Sequence, residues 1–136
     1  MSPTRRVVVV EDDPHNAVLF RKLLEKRLGC DVTVTESPEE LFEAARSGEV
    51  RLVVMDVSLA HSTWQGQPVN GVALCRMLKS DPATAAIPVL LATAHAMRGD
   101  AERLLQESGA DDYISKPIVD HSQFVEQVRA LVQEAA

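Results

Sequence analysis

Acidic, hydroxyl and amine side chains follow strand-like apolar segments at four points of this chain. Three acids follow four consecutive valines, a further acid ends the segment Arg51–Asp56, a threonine follows Val89–Ala92, and a lysine follows Asp112–Ser115. Because the carboxyl ends of parallel strands meet at one edge of a sheet, these side chains would converge if the strands are parallel. The candidate site residues are Glu11, Asp12, Asp56, Thr93 and Lys116.

Three carboxylates at one edge repel one another, by roughly 4 kcal/mol for each pair 4 Å apart at an effective dielectric constant of about 20. Such a cluster must bind a proton or a cation. Carboxylate oxygens, a backbone carbonyl and waters suit Mg²⁺ or Mn²⁺, and Mg²⁺ is often bound together with phosphate groups. A cation, the Thr93 hydroxyl and the Lys116 ammonium would neutralise a phosphoryl group while Asp56 supplies the attacking oxygen. The residues therefore predict phosphoryl-group chemistry at Asp56.

Helix capping is the ordinary explanation for an acid at the end of a strand. Asp13 followed by Pro14 is typical of a helix start, with the aspartate as N-cap and the proline at the first helical position. Capping therefore accounts for Asp13 and leaves Glu11 and Asp12 for another role.

Five strand-like segments alternate with five helical segments, which predicts an α/β fold with right-handed crossovers. We expect a doubly wound (βα)5, flavodoxin-like three-layer sandwich. The alternating second strand and the short fifth strand suit the edges of the sheet, so the expected parallel order is 2-1-3-4-5. The switch point then lies between strands 1 and 3. The strand segments are Val7–Val10, Asp31–Glu36, Arg51–Asp56, Val89–Ala92 and Asp112–Ser115.

The composition is that of one ordinary domain, expected to fill residues 1–136 with a core of about 5–134. A net charge of −6 without a basic stripe argues against nucleic-acid binding, and no apolar segment is long enough to cross a membrane. The isolated Cys30 and Cys75 lack metal-ligand spacing, and no secretory signal precedes them. These features predict reduced thiols in a cytoplasmic protein.

Four motifs in order give the chain its resemblance to the response-regulator receiver domains of two-component signalling. From about Arg5 onward, nearly the whole chain takes part in the match. A receiver accepts a phosphoryl group from a histidine kinase or a histidine phosphotransfer protein and then switches a protein-interaction surface. The motifs are Val-Val-Val-Val-Glu-Asp-Asp-Pro from residue 7, Leu-Val-Val-Met-Asp from residue 52, Pro-Val-Leu-Leu-Ala-Thr-Ala from residue 88, and Gly-Ala-Asp-Asp-Tyr-Ile-Ser-Lys-Pro-Ile from residue 109.

The resemblance implies a role for each candidate. Asp56 matches the phospho-accepting aspartate. Glu11 and Asp12 match the acidic pair that binds Mg²⁺ or Mn²⁺ together with Asp56, and the backbone carbonyl of Ser58 would complete that site. Thr93 and Lys116 match the hydroxyl and the ammonium that contact the phosphoryl group.

Further consequences of the resemblance concern the response to phosphorylation. Tyr113 matches the aromatic switch that acts with Thr93, and the downstream partner would bind the face formed by helix 4, strand 5 and helix 5. The Lys116–Pro117 peptide bond is expected to be cis, against about 5–6% of X-Pro bonds in folded proteins. His95, two residues after Thr93, is a candidate for a group near the phosphoryl site, with a solvated loop histidine as the alternative.

The segment 57–70 departs from the family pattern. It is about seven residues longer than is usual for receivers, whereas ordinary βα connections have about 2–6 residues. Ala60 occupies the place of a common proline, and His61 and Trp64 lie inside the segment. We expect an exposed docking loop rather than a packed flap, and we expect it to influence which partners approach Asp56.

Three functions fit the sequence. The first is a phosphorylation switch that catalyses only its own phosphorylation and dephosphorylation, as a stand-alone receiver, a relay intermediate or part of a longer protein. The second is a receiver-shaped scaffold that binds a partner without phosphorylation. The third is a phosphohydrolase of the haloacid-dehalogenase type, which requires an acid two residues after the nucleophile, where this chain has Ser58.

Overall fold

The computed structural model describes residues 6–59, 62–94 and 100–135, so Ala60, His61 and His95 lie outside the described residues. The five predicted strands are confirmed to within one residue at either end. The strands are β1 (Arg6–Val10), β2 (Asp31–Thr35), β3 (Val50–Asp56), β4 (Thr63–Trp64), β5 (Gln67–Pro68), β6 (Val89–Thr93) and β7 (Asp112–Ser115). The helices are α1 (Pro14–Leu28), α2 (Pro38–Arg46), α3 (Gly71–Ser80), α4 (Asp100–Ser108) and α5 (His121–Ala135).

A parallel five-stranded sheet in the order β2-β1-β3-β6-β7 forms the centre of the fold. This is the predicted order 2-1-3-4-5, because β6 and β7 are the fourth and fifth strands of this sheet along the chain. The chain leaves β1 toward β2 and later returns to the other side of β1 as β3. The switch point therefore lies between β1 and β3, where an open α/β sheet forms its ligand crevice.

Both faces of the sheet are covered, which explains why β1 consists almost entirely of valine. Val7 and Val9 face a core cluster that includes Phe20 of α1 and Phe124 of α5, whose stacked rings lie 5.3 Å apart. Val8 and Val10 face the opposite cluster, to which α2, α3 and α4 contribute. The structure thus has the three layers that the sequence predicts.

Side-chain caps fix where two helices, α1 and α3, begin beside the sheet edge. Asp13 accepts a hydrogen bond from the backbone N–H of His15, as the Asp13-Pro14 pair predicts. Asn70 caps α3 in the same way through the N–H of Ala73. Since these caps immediately follow β1 and the segment after β3, they set the path of the chain around the switch point.

The segment after β3 contains a short antiparallel hairpin, which the sequence analysis did not predict. Its strands β4 and β5 pair across a turn at Gln65 and Gly66, whose φ angles are 54° and 79°. Positive φ at both central residues is the geometry of the tight turn that matches strand twist. The hairpin therefore has a defined conformation in the described part of the segment.

The expectation of an exposed docking loop is wrong for Trp64. The indole is half-buried and packs edge-on against Phe42 of α2, with ring centroids 4.7 Å apart and an interplanar angle of 71°. Removal of both aromatic surfaces from water and the edge-to-face geometry stabilise this arrangement. Among the described residues, no helix combines the length and apolar composition needed to cross a membrane.

Candidate functional site

The predicted site residues lie at the carboxyl-terminal edge of the parallel sheet. Asp56 ends β3 and is paired in register with Ala92 of β6, so Thr93 lies one residue further along the neighbouring strand. Glu11 directly follows β1, the strand on the other side of β3. The structure therefore brings residues from three adjacent strands to the switch point, as the topology requires.

The three acids form a compact cluster. Glu11, Asp12 and Asp56 each offer one carboxylate oxygen within 4.8 Å of the other two. Glu11 is only 3% exposed and Asp56 only 2%, whereas Asp12 is half-buried and gives the cluster one side toward solvent. Hard oxygen donors at this spacing fit a small divalent cation, so these acids could hold Mg²⁺ or Mn²⁺.

A lysine ammonium lies among these acids. Lys116 Nζ donates to Oδ1 of Asp56 at 2.8 Å and to Oε1 of Glu11 at 3.2 Å. Its backbone N–H donates to the carbonyl of Thr93 at 2.8 Å, and the Lys116–Pro117 bond is cis, which confirms that prediction. The side chain is thus held between β6, β3 and the residue that follows β1.

Burial and charge at the site shift the pKa values of two groups, Lys116 and Glu11. Burial acts to lower the pKa of the Lys116 amine, but the hydrogen bond and charge of Asp56, aided by Glu11, outweigh it and raise that pKa. Burial, together with a hydrogen bond to Asp56 and its negative charge, raises the pKa of Glu11 from 4.5 to about 7. In the absence of a cation, Glu11 therefore takes up a proton near neutral pH, and binding a cation would release it.

The remaining predicted residues, Thr93, Ser58 and Tyr113, differ in their burial and in their contacts with the acidic cluster. Thr93 is buried at the end of β6. Ser58 is exposed, and its backbone N–H donates to Oδ1 of Asp56 at 3.1 Å; the metal-binding role of its carbonyl stays a prediction. Tyr113 of β7 is half-buried against the α2–α3–α4 core cluster, and its switching role also stays a prediction.

Gly71 is a residue of the site region that the sequence reasoning missed. A Cβ atom at this position would lie 2.0 Å from the carbonyl oxygen of Asp56 and 2.9 Å from the Cα atom of Val57. The N–H of Gly71 donates to the carbonyl of Val57 at 3.0 Å. Only glycine lets α3 begin this close to the end of β3. A glycine directly after the capping Asn70 was the available signal.

Residues 7–129 of the chain match the protein family described as the response regulator receiver domain. The chain belongs to the receiver-domain family. The polar-differentiation response regulator DivK of Brucella ovis is 36% identical over 132 residues, which cover 97% of this receiver and 99% of the relative. As a member of the family the chain is a phospho-accepting response regulator. A scaffold that acts without phosphorylation and a phosphohydrolase are not favoured.

Solved receiver structures are similar in fold. The signal receiver domain of a histidine kinase from Syntrophus aciditrophicus has a TM-score of 0.78 at 28% identity, covering 96% of this receiver and 92% of that chain. The receiver domain of a sensor histidine kinase from Pseudomonas aeruginosa PAO1 also has a TM-score of 0.78, at 23% identity, with 96% and 98% coverage. That structure has a magnesium ion coordinated in its active site cleft.

Replacing Glu11 by glutamine should flatten the pH dependence of stability of the metal-free receiver. A carboxyl whose pKa rises from 4.5 to about 7 on folding stabilises the folded state at low pH, and this contribution is lost as the pH rises through that range. From pH 5 to pH 8, wild-type unfolding free energy should fall by about 2 kcal/mol more than that of Glu11→Gln.

Urea unfolding in chelator at both pH values measures this difference. Glu107→Gln, which removes an exposed acid on α4, is the matched control and should follow the wild type. An equal pH dependence in Glu11→Gln and wild type would contradict the raised pKa of Glu11.

Adding one methyl group at Gly71 should disturb the site. Gly71→Ala forces apart the α3 N-terminus and the carbonyl of Asp56, so we expect a stability loss of about 1–3 kcal/mol and slower reaction of Asp56 with a small phosphodonor. The control is Gly48→Ala, outside both the site and the β4–β5 hairpin, which places a Cβ atom with nothing within 4 Å but at a φ of +83°. It should cost stability without slowing phosphorylation. A Gly71→Ala protein with wild-type stability and phosphorylation rate would show that the close approach is unimportant.

Proposed function

We propose that Asp56 accepts a phosphoryl group from the phosphohistidine of a histidine kinase or a histidine phosphotransfer protein, with Mg²⁺ or Mn²⁺ bound beside it. The observation that carries this proposal is the 2.8 Å ion pair between Lys116 and Asp56 within the buried acidic cluster. The ion pair supports the proposal because it joins Asp56, the proposed nucleophile, to an ammonium that could neutralise charge, beside two further acids at the sheet edge.

The transfer is a nucleophilic displacement at phosphorus. A carboxylate oxygen of Asp56 forms the new P–O bond as the P–N bond of the phosphohistidine breaks, and the departing imidazole nitrogen takes the electron pair of that bond. The ammonium of Lys116 and the N–H of Ser58 both donate to Oδ1 of Asp56, which fixes the orientation of the carboxylate before the donor arrives.

Two side chains are assigned to the phosphoryl oxygens. Lys116 already lies against Asp56, so its ammonium needs only to follow the new negative charge onto the phosphoryl group. Thr93 ends the strand next to β3 and supplies a hydroxyl donor on the same edge. Together they neutralise and orient oxygens that would otherwise be repelled by the three acids.

Glu11, Asp12 and Asp56 are the proposed metal ligands, together with the backbone carbonyl of Ser58. A bound divalent cation would offset the negative charge on the transferring phosphoryl oxygens. The spacing of the three carboxylate oxygens supports this assignment, as does the magnesium in the Pseudomonas receiver. The cation would also replace the proton that the raised pKa of Glu11 retains near neutral pH.

We propose that the conformational response to phosphorylation of Asp56 is transmitted through Thr93 and Tyr113 to the face formed by α4, β7 and α5. A downstream protein would bind this face. A groove of about 450 Å³ lies on the β7–α5 part of this face and is lined by residues that include Tyr113, Pro117 and Gln127. A new charge at Asp56 would bias the position of Thr93 and thereby the half-buried Tyr113. The proposed protein partners at this face are therefore distinct from the phosphodonor at the sheet edge.

The scope of the proposed activity is narrow. The chain would act as a single receiver domain in the cytoplasm and would catalyse only the phosphorylation and dephosphorylation of its own Asp56. The net charge of −6 supports protein partners rather than nucleic acid.

Removing the nucleophile should abolish phosphorylation. When the wild-type protein is incubated with phosphoramidate and Mg²⁺, its mass should increase by that of one phosphoryl group. This increase should disappear when a chelator removes the Mg²⁺. Asp56→Asn should show no gain because an amide oxygen is a poor nucleophile. Asp100→Asn, an acid of α4 paired with Arg103, is the matched control and should react like the wild type. Equal labelling of Asp56→Asn and wild type in intact-protein mass spectra would refute the assignment of Asp56.

A further inference from the structure

The β4–β5 hairpin is tied to the connection that follows the edge strand β2, at the same carboxyl-terminal edge of the sheet as Asp56. Ser62 is buried, and its hydroxyl donates to the backbone carbonyl of Glu36 at 2.7 Å, just after β2. The N–H of Val69 donates to the carbonyl of Ser62 at 3.1 Å and closes the base of the hairpin. One end of the hairpin is thereby anchored on the β2–α2 connection.

Aromatic packing provides a second anchor on α2. Trp64 packs edge-on against Phe42, and the guanidinium of Arg46 lies 5.8 Å from the centre of the same Phe42 ring. Phe42 itself is buried in the core cluster shared by α2, α3 and α4. Because α2 is held by the core, the hairpin is held with it.

The lengthened segment begins with the residues that follow Asp56, and contacts hold these residues as well. The N–H of Val57 donates to the carbonyl of Ala92 at 3.0 Å, so Val57 continues the hydrogen bonding between β3 and β6. Leu59 is buried in the same core cluster as Phe42. Ser58 lies between these two fixed residues, and only two residues separate Leu59 from the anchored Ser62.

We propose that the β4–β5 hairpin is a positioning element for the metal site, with Ser62 and Trp64 as its positioning residues. They restrain the backbone from Val57 to Leu59 so that the carbonyl of Ser58 is held ready to bind the cation. This inference rests on the proposed function, which assigns that carbonyl as a ligand.

The physical basis is preorganisation. Fixing the backbone of one residue costs conformational entropy, and a carbonyl that is already fixed does not lose that entropy when the cation binds. The anchors lie on α2 and on the β2–α2 connection, so they act on the Ser58 backbone without contributing a ligand atom of their own. Releasing either anchor should weaken binding of Mg²⁺ by about 3- to 10-fold.

The test compares Ser62→Ala and Trp64→Leu with Thr63→Ala. The first two remove the two anchors, and the third removes an exposed side chain from the same hairpin. Calorimetric titration of each metal-free protein with Mg²⁺ gives the dissociation constant. The Mg²⁺ dependence of phosphoramidate labelling gives a second measure, and thermal unfolding without metal gives the stability.

The proposal predicts a weaker Mg²⁺ affinity for Ser62→Ala and Trp64→Leu, and saturating Mg²⁺ should restore most of the labelling rate. Thr63→Ala should bind Mg²⁺ like the wild type. If both anchor variants bind Mg²⁺ with wild-type affinity, even with lower unfolding temperatures, the hairpin has only a structural role and the proposal is overturned. A wild type that neither binds Mg²⁺ nor is labelled at Asp56 would instead refute the proposed function.

Discussion

The concentration of negative charge at the switch point is the constraint on which the rest of the structure depends. Three carboxylates with oxygens within 4.8 Å of one another, two of them almost completely buried, would repel by several kcal/mol at an effective dielectric constant of about 20. Lys116 offsets part of this repulsion by pairing with Asp56 and Glu11, and the raised pKa of Glu11 reflects first its burial and then the neighbouring Asp56. The same uncompensated charge is what makes the site suited to a divalent cation.

The fold meets this constraint by supplying the groups of the site from several different elements. Parallel strands bring Glu11, Asp56 and Thr93 to one edge without requiring any of them to be adjacent in sequence. The backbone bond between Lys116 and Thr93 holds the ammonium at the same level. Gly71 then lets α3 begin directly against the carbonyl of Asp56. Gly71 is therefore not free to gain a side chain, because a Cβ atom there would overlap backbone atoms at the end of β3.

Sequence reasoning predicted the sheet order and the acidic cluster because both follow from local signals. The four consecutive valines of β1 indicate burial on both faces, the alternation of β2 indicates an edge strand, and the acids are recognised by their positions at strand ends. The hairpin was missed since strands of two residues are too short to show a period. The burial of Trp64 depends on Phe42, a residue in another helix, and the role of Gly71 depends on where α3 starts relative to β3. These features are set by tertiary contacts, which no local pattern encodes.

The structure of the receiver with Mg²⁺ and beryllofluoride, a mimic of the phosphoryl group, tests the central claim most directly. The account predicts beryllium bonded to a carboxylate oxygen of Asp56, Mg²⁺ held by Glu11, Asp12 and Asp56, and fluorine atoms contacting the Thr93 hydroxyl and the Lys116 ammonium. Beryllofluoride bound at another residue would contradict it. So would a Lys116 that stays paired with Asp56 and Glu11 while the mimic is bound.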